Sequence, residues 1–520
     1  MINRKQWAVA TVVAVALGAT ACNNDKLTGY NENPNSATSA PAPALFTNAV
    51  RTGVSRWLGT TYDLRGTEWV TQHLAEVQYP DEDAYKRLQA SFTAGTFDGA
   101  YSGEQEDFQK VIDAGTAANN PLVYAPALVM RTWGFGYLTD TWGDIPYFQA
   151  LAGDSVGSTL SPTYDPQKAI YDDFFKVLDK ASKDLAAAPT SGLVGLGSAD
   201  PIYAGSRAGW ERFSNSLRAR QAMRLVNVDP ATAKTQFEAA VAAPGGLFRS
   251  NADNATFKWP GDGVYDNPWA TNFKTRDDHR LSNRLTANMV PQGDPRISVY
   301  GMPAESDGQY RGLENALTQG QASAFLTTTS RPGAIFYPGA TTYGTFGGGG
   351  AALPQYLMTY AEVELLLAEA AERGWNVGGG SAASHYLAGI NASMDQWGVP
   401  NDAARAAYLA KPEIAYKGGS AGLTQIAIQK WIALYGDGGQ AWAEWRRTCQ
   451  PANVVPGPEA IINIVPRRFQ YSTTETAVNA EGIAPALTAQ GPDLFQTRMY
   501  WDKSPQNAPT YPGPSCGVKP

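Results

Sequence analysis

The sequence predicts a mainly α-helical protein, in which helical hairpins form one body and a long loop-rich lobe is attached to it. Three observations predict this fold class. Residues 357–375 are a long run of strong helix formers. Helix-turn-helix patterns recur at intervals of roughly 35–40 residues. Residues 244–356 interrupt this rhythm with turn signals. The chain has 520 residues, but no charge run or Pro/Ser linker divides it cleanly into separate domains.

The helix predicted at residues 357–375 has apolar side chains on two faces. Val363 and Leu367 recur at helical spacing on one side, whereas Leu365 lies on another. A single partner cannot cover both faces, so this helix needs neighbours on either side. Glycines follow it, and a second helix at about 382–397 can fold back on it as a hairpin.

The remaining face of this helix carries the glutamates Glu362, Glu369 and Glu372. Glu369 stands four residues before Arg373, which predicts a weak, exposed ion pair. We therefore expect this face to meet solvent.

Further helices follow from the same periodicity and from Asp-Pro starts. They are predicted at about 44–58, 62–77, 98–114, 123–150, 167–187, 208–228, 230–243, 425–435 and 439–448. The paired arrangement indicates tetratricopeptide-like hairpins, although no copy matches their consensus closely.

Residues 244–356 contain Gly-Gly, Trp-Pro-Gly, Asn-Pro-Trp and Asp-Pro-Arg signals and a run of four glycines. Their Trp and Tyr content argues against disorder. We predict a structured, loop-rich insertion with a few short strands.

The amino terminus predicts export. A positive start and a short apolar run make residues 1–21 a signal peptide, and small residues precede Cys22 as in a bacterial lipobox. Cys22 is then the lipid-attachment residue, and acyl chains such as palmitate anchor the protein in a membrane. Polar residues 22–43 form a flexible tether, which leaves 44–520 as the helical domain. The alternative is an ordinary signal peptide cut beside an incidental cysteine.

Charge and cysteine content exclude several function classes. With a net charge of −7, the chain lacks the excess of basic residues that is typical of nucleic-acid-binding proteins. Cys449 and Cys516 could pair in an oxidising compartment, although their spacing does not establish this. Two cysteines and three scattered histidines predict no metal site, and no motif indicates a cofactor.

Six segments occur here in an order that resembles one protein family. They are YLTDTWGDIPY at 137–147, NSLRARQAMRL at 215–225, DPR at 294–296, MTYAE at 358–362, QKWIAL at 429–434 and PRR at 466–468. Together with the lipobox and an Asn-Pro-Asn tether, they resemble the SusD-like branch of the SusD/RagB family of nutrient-binding outer-membrane lipoproteins.

This resemblance implies four tetratricopeptide-type helical pairs that support a loop-rich lobe. It implies a surface-exposed lipoprotein of the outer membrane that captures an oligosaccharide or similar nutrient. The protein would lie over a SusC-like TonB-dependent transporter and pass the nutrient to it. The resemblance implies neither catalysis nor a cofactor, and it leaves the nutrient open.

Two aromatic stretches could bind a sugar, because sugars need flat aromatic platforms beside polar groups. In residues 68–73, Trp69, Gln72 and His73 are candidates, since a predicted helix places Trp69 and Gln72 on one face. The alternative for Trp69 is core packing. In starch-binding relatives an early aromatic and an amide help form the platform, which this pair resembles loosely.

The second stretch is residues 259–269, with Trp259, Tyr265 and Trp269 interleaved with Asp and Asn. Three aromatic residues so close together in a loop cannot all be helix core, so we expect at least one to contact ligand. Weaker candidates are Tyr79, Tyr337 and Tyr343. Trp142 and Asp144 are expected to pack a turn.

Two other function classes remain open to test. Glu68 with Glu76, or Asp262 with Asp266, could be a carboxylate pair of a glycosidase, but such spacings arise by chance and we do not predict an enzyme. A tetratricopeptide-type scaffold lipoprotein that binds protein or peptide partners without a sugar site is the main alternative. A screen against soluble glycans separates these readings.

Overall fold

Long helices make up most of the chain in the computed structural model, which describes residues 40–153, 158–503 and 516–519. The helices of at least eleven residues are α1 Ala42–Trp57, α2 Ala90–Ala100, α3 Glu106–Ala117, α4 Pro121–Trp142, α5 Gln167–Ala187, α6 Arg207–Arg224, α7 Pro230–Ala242, α8 Tyr360–Glu372, α9 Ala382–Gln396, α10 Gly419–Ala433, α11 Gly438–Thr448 and α12 Ala480–Gln490. The prediction of a mainly α fold is confirmed.

Four consecutive pairs of these helices pack against each other: α3 with α4, α5 with α6, α8 with α9, and α10 with α11. The pairs are joined side by side, because α4 also packs on α5, α6 on α8, and α8 on α10. Helix α7 adds to α6, and α1 covers α3. This is the stacked-hairpin arrangement that the sequence predicts.

Helix α8 is buried all round, from Ala361 to Ala370, which agrees with the need for neighbours on two faces. The expectation that its glutamates face solvent is wrong for Glu362 and Glu369, whereas Glu372 is half-buried. Glu362 accepts a hydrogen bond from Arg220 Nε at 2.7 Å, and Glu369 accepts one from Arg447 Nη1 at 2.7 Å. Neighbouring helices bring these guanidinium groups to the acidic face, so the carboxylates are buried and paired.

The lobe at residues 244–356 contains short elements joined by turns. Its short helices are Pro268–Phe273, Asn283–Met289, Ile297–Tyr300 and Gln319–Ser323. The strands are β1 Leu74–Glu76, β2 Ala255–Phe257, β3 His279–Leu281, β4 Ala340–Thr341, β5 Gly344–Thr345 and β6 Gln355–Met358. They pair antiparallel as β1–β3, β2–β6 and β4–β5, so that strand β1 from the early part of the chain joins the lobe.

The single helix predicted at 62–77 is wrong. The chain forms a π-helical segment Thr60–Thr67, a one-turn helix Glu68–Val70 and then β1. Gln72 has a φ of +60°, which ends helical geometry. Trp69 and Gln72 therefore do not share a helix face. Buried polar contacts with α10 and the α10–α11 turn override the local helix preference, as described below.

The signal peptide, Cys22 and most of the predicted tether lie outside the described residues. Helix α1 starts at Ala42, two residues before the predicted start of the helical domain at residue 44. Cys449 and Cys516 form a disulfide, with their Cα atoms 5.4 Å apart. Within the described ranges, no helix has both the length and the apolar composition that crossing a membrane requires.

Candidate functional site

Five of the six predicted ligand-binding side chains lie inside the protein. Trp69, Gln72, His73 and Trp269 are almost fully buried, and Trp259 is 5% exposed. Tyr265 alone among the six is open to solvent, at 45%.

The buried members of the 68–73 stretch contact protein on every side. Trp69 stacks on His279 with ring centroids 5.5 Å apart. Gln72 Nε2 donates to the Val455 carbonyl at 2.7 Å. His73 Nε2 donates to the Trp431 carbonyl at 3.0 Å, and its Nδ1 lies 2.9 Å from Glu68 Oε2. These contacts favour the packing alternative, and sugar contact by these residues stays a prediction.

Burial also sets the protonation of this stretch. It raises the pKa of Glu68 to about 8 and lowers the pKa of His73 to about 3. Because His73 Nε2 faces a carbonyl oxygen and must carry the proton, its Nδ1 accepts from a protonated Glu68. The pair is therefore neutral and serves to join the early chain to α10.

The 259–269 stretch divides in the same way. Trp259 Nε1 donates to Gln355 Oε1 at 2.9 Å, and Trp269 packs on Phe336 with centroids 5.3 Å apart. Trp269 also lines a small cavity of about 30 Å³ between the lobe and the helices. Tyr265 stands outside, with the Arg51 guanidinium 5.3 Å from its ring centre.

A second exposed aromatic surface combines Tyr79, on the segment between β1 and α2, with Phe92 in the first turn of α2. Tyr79 is 53% exposed and Phe92 is 49% exposed. The guanidinium of Arg276 lies 4.8 Å from the Tyr79 ring centre, and that of Arg87 lies 5.4 Å from the Phe92 ring centre. We call these four residues the Tyr79 surface.

A buried carboxylate organises the arginines of this surface. Glu82 pairs with Arg87 Nε at 2.9 Å and with Arg276 Nη2 at 3.6 Å. Arg65 Nε donates to its other oxygen at 2.9 Å. One carboxylate thus holds three guanidinium groups, and the side chains of Arg65, Arg87 and Arg276 are 18%, 41% and 24% exposed.

The backbone of the segment is anchored by two further buried acids. Glu76 Oε1 accepts from the backbone N–H groups of Gln78 at 2.9 Å and Tyr79 at 3.0 Å. Asp83 accepts from the N–H groups of Glu76 at 2.9 Å and Ala316 at 3.0 Å, and burial raises the pKa of Asp83 to about 8. The Tyr79 ring therefore projects from a rigid support, which lowers the entropy cost of binding.

This arrangement suits a neutral, hydroxyl-rich ligand. The Tyr79 and Phe92 rings offer apolar faces for C–H groups, and the guanidinium groups of Arg87 and Arg276 can donate to hydroxyl oxygens. Of the weaker sequence candidates, Tyr79 belongs to this surface, whereas Tyr337 is buried and Tyr343 is half-buried with its hydroxyl bonded to the Phe273 carbonyl at 2.7 Å.

Sequence reasoning did not identify Arg65, Glu82, Arg87 or Phe92. The usable signal was the segment YPDEDAYKRLQASF at 79–92, where aromatic residues alternate with charges next to a proline. Such loop segments commonly carry binding residues.

The carboxylate pairs considered for a glycosidase are each bonded to protein groups. Glu68 and Glu76 are both buried and bonded to protein groups. Asp262 accepts from the N–H groups of Val264 and Tyr265, and Asp266 pairs with Lys274 at 2.7 Å. Each carboxylate is thus used in holding a local turn or strand.

Comparison with solved structures shows the same fold. A chitin-binding SusD homolog from Flavobacterium johnsoniae is 27% identical with a TM-score of 0.75, and the match covers 90% of this chain and 99% of that chain. A SusD homolog from Parabacteroides distasonis is 22% identical with a TM-score of 0.75, covering 89% and 98%. One from Bacteroides uniformis is 24% identical with a TM-score of 0.73, covering 89% and 99%.

No curated protein matches the chain. A family model matches residues 34–472, most of the sequence, and is described as "Starch-binding associating with outer membrane". The chain therefore belongs to the SusD-like family.

Proposed function

We propose that this protein is a non-catalytic, surface-exposed lipoprotein that captures an oligosaccharide on the Tyr79 surface. It then passes the oligosaccharide to a SusC-like TonB-dependent transporter of the outer membrane. The observation that carries the binding proposal is the pair of exposed rings, Tyr79 and Phe92, each beside an arginine that Glu82 fixes. Membership of the SusD-like family supports the association with the outer membrane.

Chitin-derived oligosaccharides are the first ligands to test. The Flavobacterium johnsoniae homolog, which is 27% identical, is described as chitin-binding. The family description names starch, so maltooligosaccharides are the second class. The Tyr79 surface carries no unpaired acid among the groups described above, which suits neutral sugars of either class.

Isothermal titration calorimetry with soluble chitin and starch oligosaccharides tests the binding step. We expect saturable binding of one class by the wild-type protein and weaker binding by Tyr79→Ala. No saturable glycan at millimolar concentration would contradict the proposal and favour the scaffold alternative.

Tyr265→Ala is the matched control. Tyr265 is also an exposed tyrosine beneath an arginine, but it lies on the separate 259–269 stretch. If Tyr265→Ala weakens binding and Tyr79→Ala does not, the ligand sits on the stretch that the sequence favoured. Trp259→Ala and Trp269→Ala are less useful, because loss of a buried ring also perturbs folding.

Anchoring and delivery need separate tests. Cys22→Ser should release the protein from the membrane fraction if Cys22 carries lipid, as the lipobox predicts. Affinity purification of the tagged protein from detergent-solubilised outer membranes should recover a TonB-dependent transporter. Recovery of the transporter without any glycan binding would support the scaffold alternative instead.

A further inference from the structure

Glu76, Asp278 and His279 meet beneath the Tyr79 surface. Strand β1 pairs with β3 in a register that sets Glu76 opposite His279, and Asp278 directly precedes β3. All three side chains are buried, and one potential ligand atom from each lies within 4.8 Å of the other two. The sequence predicts no metal site because its histidines are scattered, but strand pairing brings two acids to one of them.

The chain has three histidines, and their ring nitrogens are used differently. Both nitrogens of His73 have partners, as do both nitrogens of His385, which contact Glu364 at 2.6 Å and the Gly379 carbonyl at 2.8 Å. His279 Nδ1 lies 2.7 Å from Asp278 Oδ1, but its Nε2 is buried without a hydrogen-bond partner. A buried ring nitrogen without a partner is costly unless something else binds it.

The contact with Asp278 orients this ring. A carboxylate accepts, so His279 donates from Nδ1 and carries its lone pair on Nε2. A carboxylate behind a histidine is the usual support for a metal-binding imidazole. The other Asp278 oxygen pairs with Arg276, which fixes the carboxylate in turn.

Glu76 is oriented in a similar way. Its Oε1 accepts the N–H groups of Gln78 and Tyr79, whereas its Oε2 is buried and has no partner. The cluster therefore contains two unpartnered, buried atoms with lone pairs, Glu76 Oε2 and His279 Nε2, whereas both Asp278 oxygens are engaged by His279 and Arg276.

We propose that Glu76 Oε2 and His279 Nε2 bind a divalent transition-metal cation of the zinc class, while Asp278 holds the imidazole from its other edge. Imidazole nitrogen with carboxylate oxygens suits this class, whereas Ca²⁺ and Mg²⁺ prefer oxygen ligands alone. The cation would neutralise Glu76 and join β1 to β3 directly under Tyr79. The proposal does not depend on glycan binding.

The test uses the purified protein, treated with EDTA and dialysed, then titrated with Zn²⁺ by calorimetry and by thermal unfolding. We expect saturable binding and a rise in Tm with Zn²⁺, and no comparable effect with Ca²⁺ or Mg²⁺. Glu76→Gln keeps the oxygen that caps the loop and should weaken Zn²⁺ binding by about tenfold or more. His279→Gln should do the same.

His385→Gln is the matched control, because His385 also pairs with a glutamate but has both nitrogens partnered. It should bind Zn²⁺ as the wild type does. Absence of saturable Zn²⁺ binding, or equal binding by wild type and Glu76→Gln, would overturn the proposal.

Cobalt gives a readout that does not depend on the stability of the His279 variant. Co²⁺ bound by wild-type protein should give visible d–d absorption that Zn²⁺ displaces and that His385→Gln retains. Bound Co²⁺ with the same spectrum in wild type and Glu76→Gln would place the cation elsewhere and contradict the assignment.

Discussion

The two tryptophans of stretch 259–269 and the aromatic residues Tyr79 and Phe92 of segment 79–92 have opposite environments. Trp259 and Trp269 are packed into the lobe, with Gln355 and Phe336 as neighbours, whereas Tyr79 and Phe92 keep about half of their surface in solvent. The sequence favoured the first set as ligand-binding residues and ranked Tyr79 as a weaker candidate. Closely spaced aromatic residues in a loop can therefore be packed core residues as readily as exposed binding residues.

The largest expected effect tests the buried set. Trp269→Ala should lower the free energy of unfolding by about 3–5 kcal/mol, because it removes a ring packed on Phe336 and leaves a cavity. Chemical denaturation measures this change. Tyr79→Ala is the control and should change stability by less than about 0.5 kcal/mol. Equal changes in the two variants would contradict the division into buried and exposed sets.

The next effect concerns pH and the buried 68–73 stretch. The folded-state pKa of Glu68 is raised to about 8, so between its unfolded value and 8 the folded state holds a proton that the unfolded state releases. Its contribution therefore falls as pH rises. His73 has its pKa lowered to about 3, so its contribution falls as pH drops below its unfolded value.

The pH dependences that Glu68 and His73 give to the free energy of unfolding have opposite signs and cancel between about pH 4.5 and 6.5. Above about pH 6.5 only the decrease due to Glu68 remains. Glu68→Gln should remove that decline, about 2 kcal/mol by pH 8 relative to wild type. Unfolding curves from pH 5 to 8 measure the difference. Parallel curves for wild type and variant would mean that solvent reaches the stretch.

A smaller effect tests the exposed set. Tyr79→Ala should weaken binding of the identified oligosaccharide by about tenfold, since it removes one stacking face. Calorimetry measures the affinity. Unchanged affinity would remove Tyr79 from the site.

The smallest effect concerns the arginines. Arg87→Gln should weaken binding by about twofold to threefold, because Arg87 is partly exposed and each such hydrogen bond contributes little. The same calorimetry measures it, with Lys86→Gln as the neighbouring charge control. A loss in Lys86→Gln as large as in Arg87→Gln would indicate general charge attraction instead of a directed hydrogen bond.

Much of the fold follows from local sequence. Helix α5 spans the predicted residues 167–187, so periodicity and the preceding Asp-Pro sufficed there. Helix α8 is shorter than the helix predicted at 357–375, because Thr359 accepts from the Glu362 N–H and caps its start. The 62–77 helix prediction failed because contacts far along the chain decide that segment. Gly436 donates to Glu68, and the Trp431 carbonyl accepts from His73.

The site was less predictable for the same reason. The sequence around Arg276 does not predict that Arg276 pairs with Glu82, or that its guanidinium lies over the Tyr79 ring. The Glu76–His279 contact likewise depends on the register of β1 with β3. These are long-range juxtapositions that local patterns do not encode.

Tyrosine nitration with and without bound oligosaccharide tests the central claim most directly, because Tyr79 and Tyr265 are both exposed and we therefore expect both to react in the free protein. Saturating ligand should protect Tyr79 and leave the nitration of Tyr265, measured by peptide mass spectrometry, unchanged. Protection of Tyr265 with Tyr79 still fully nitrated would contradict the account.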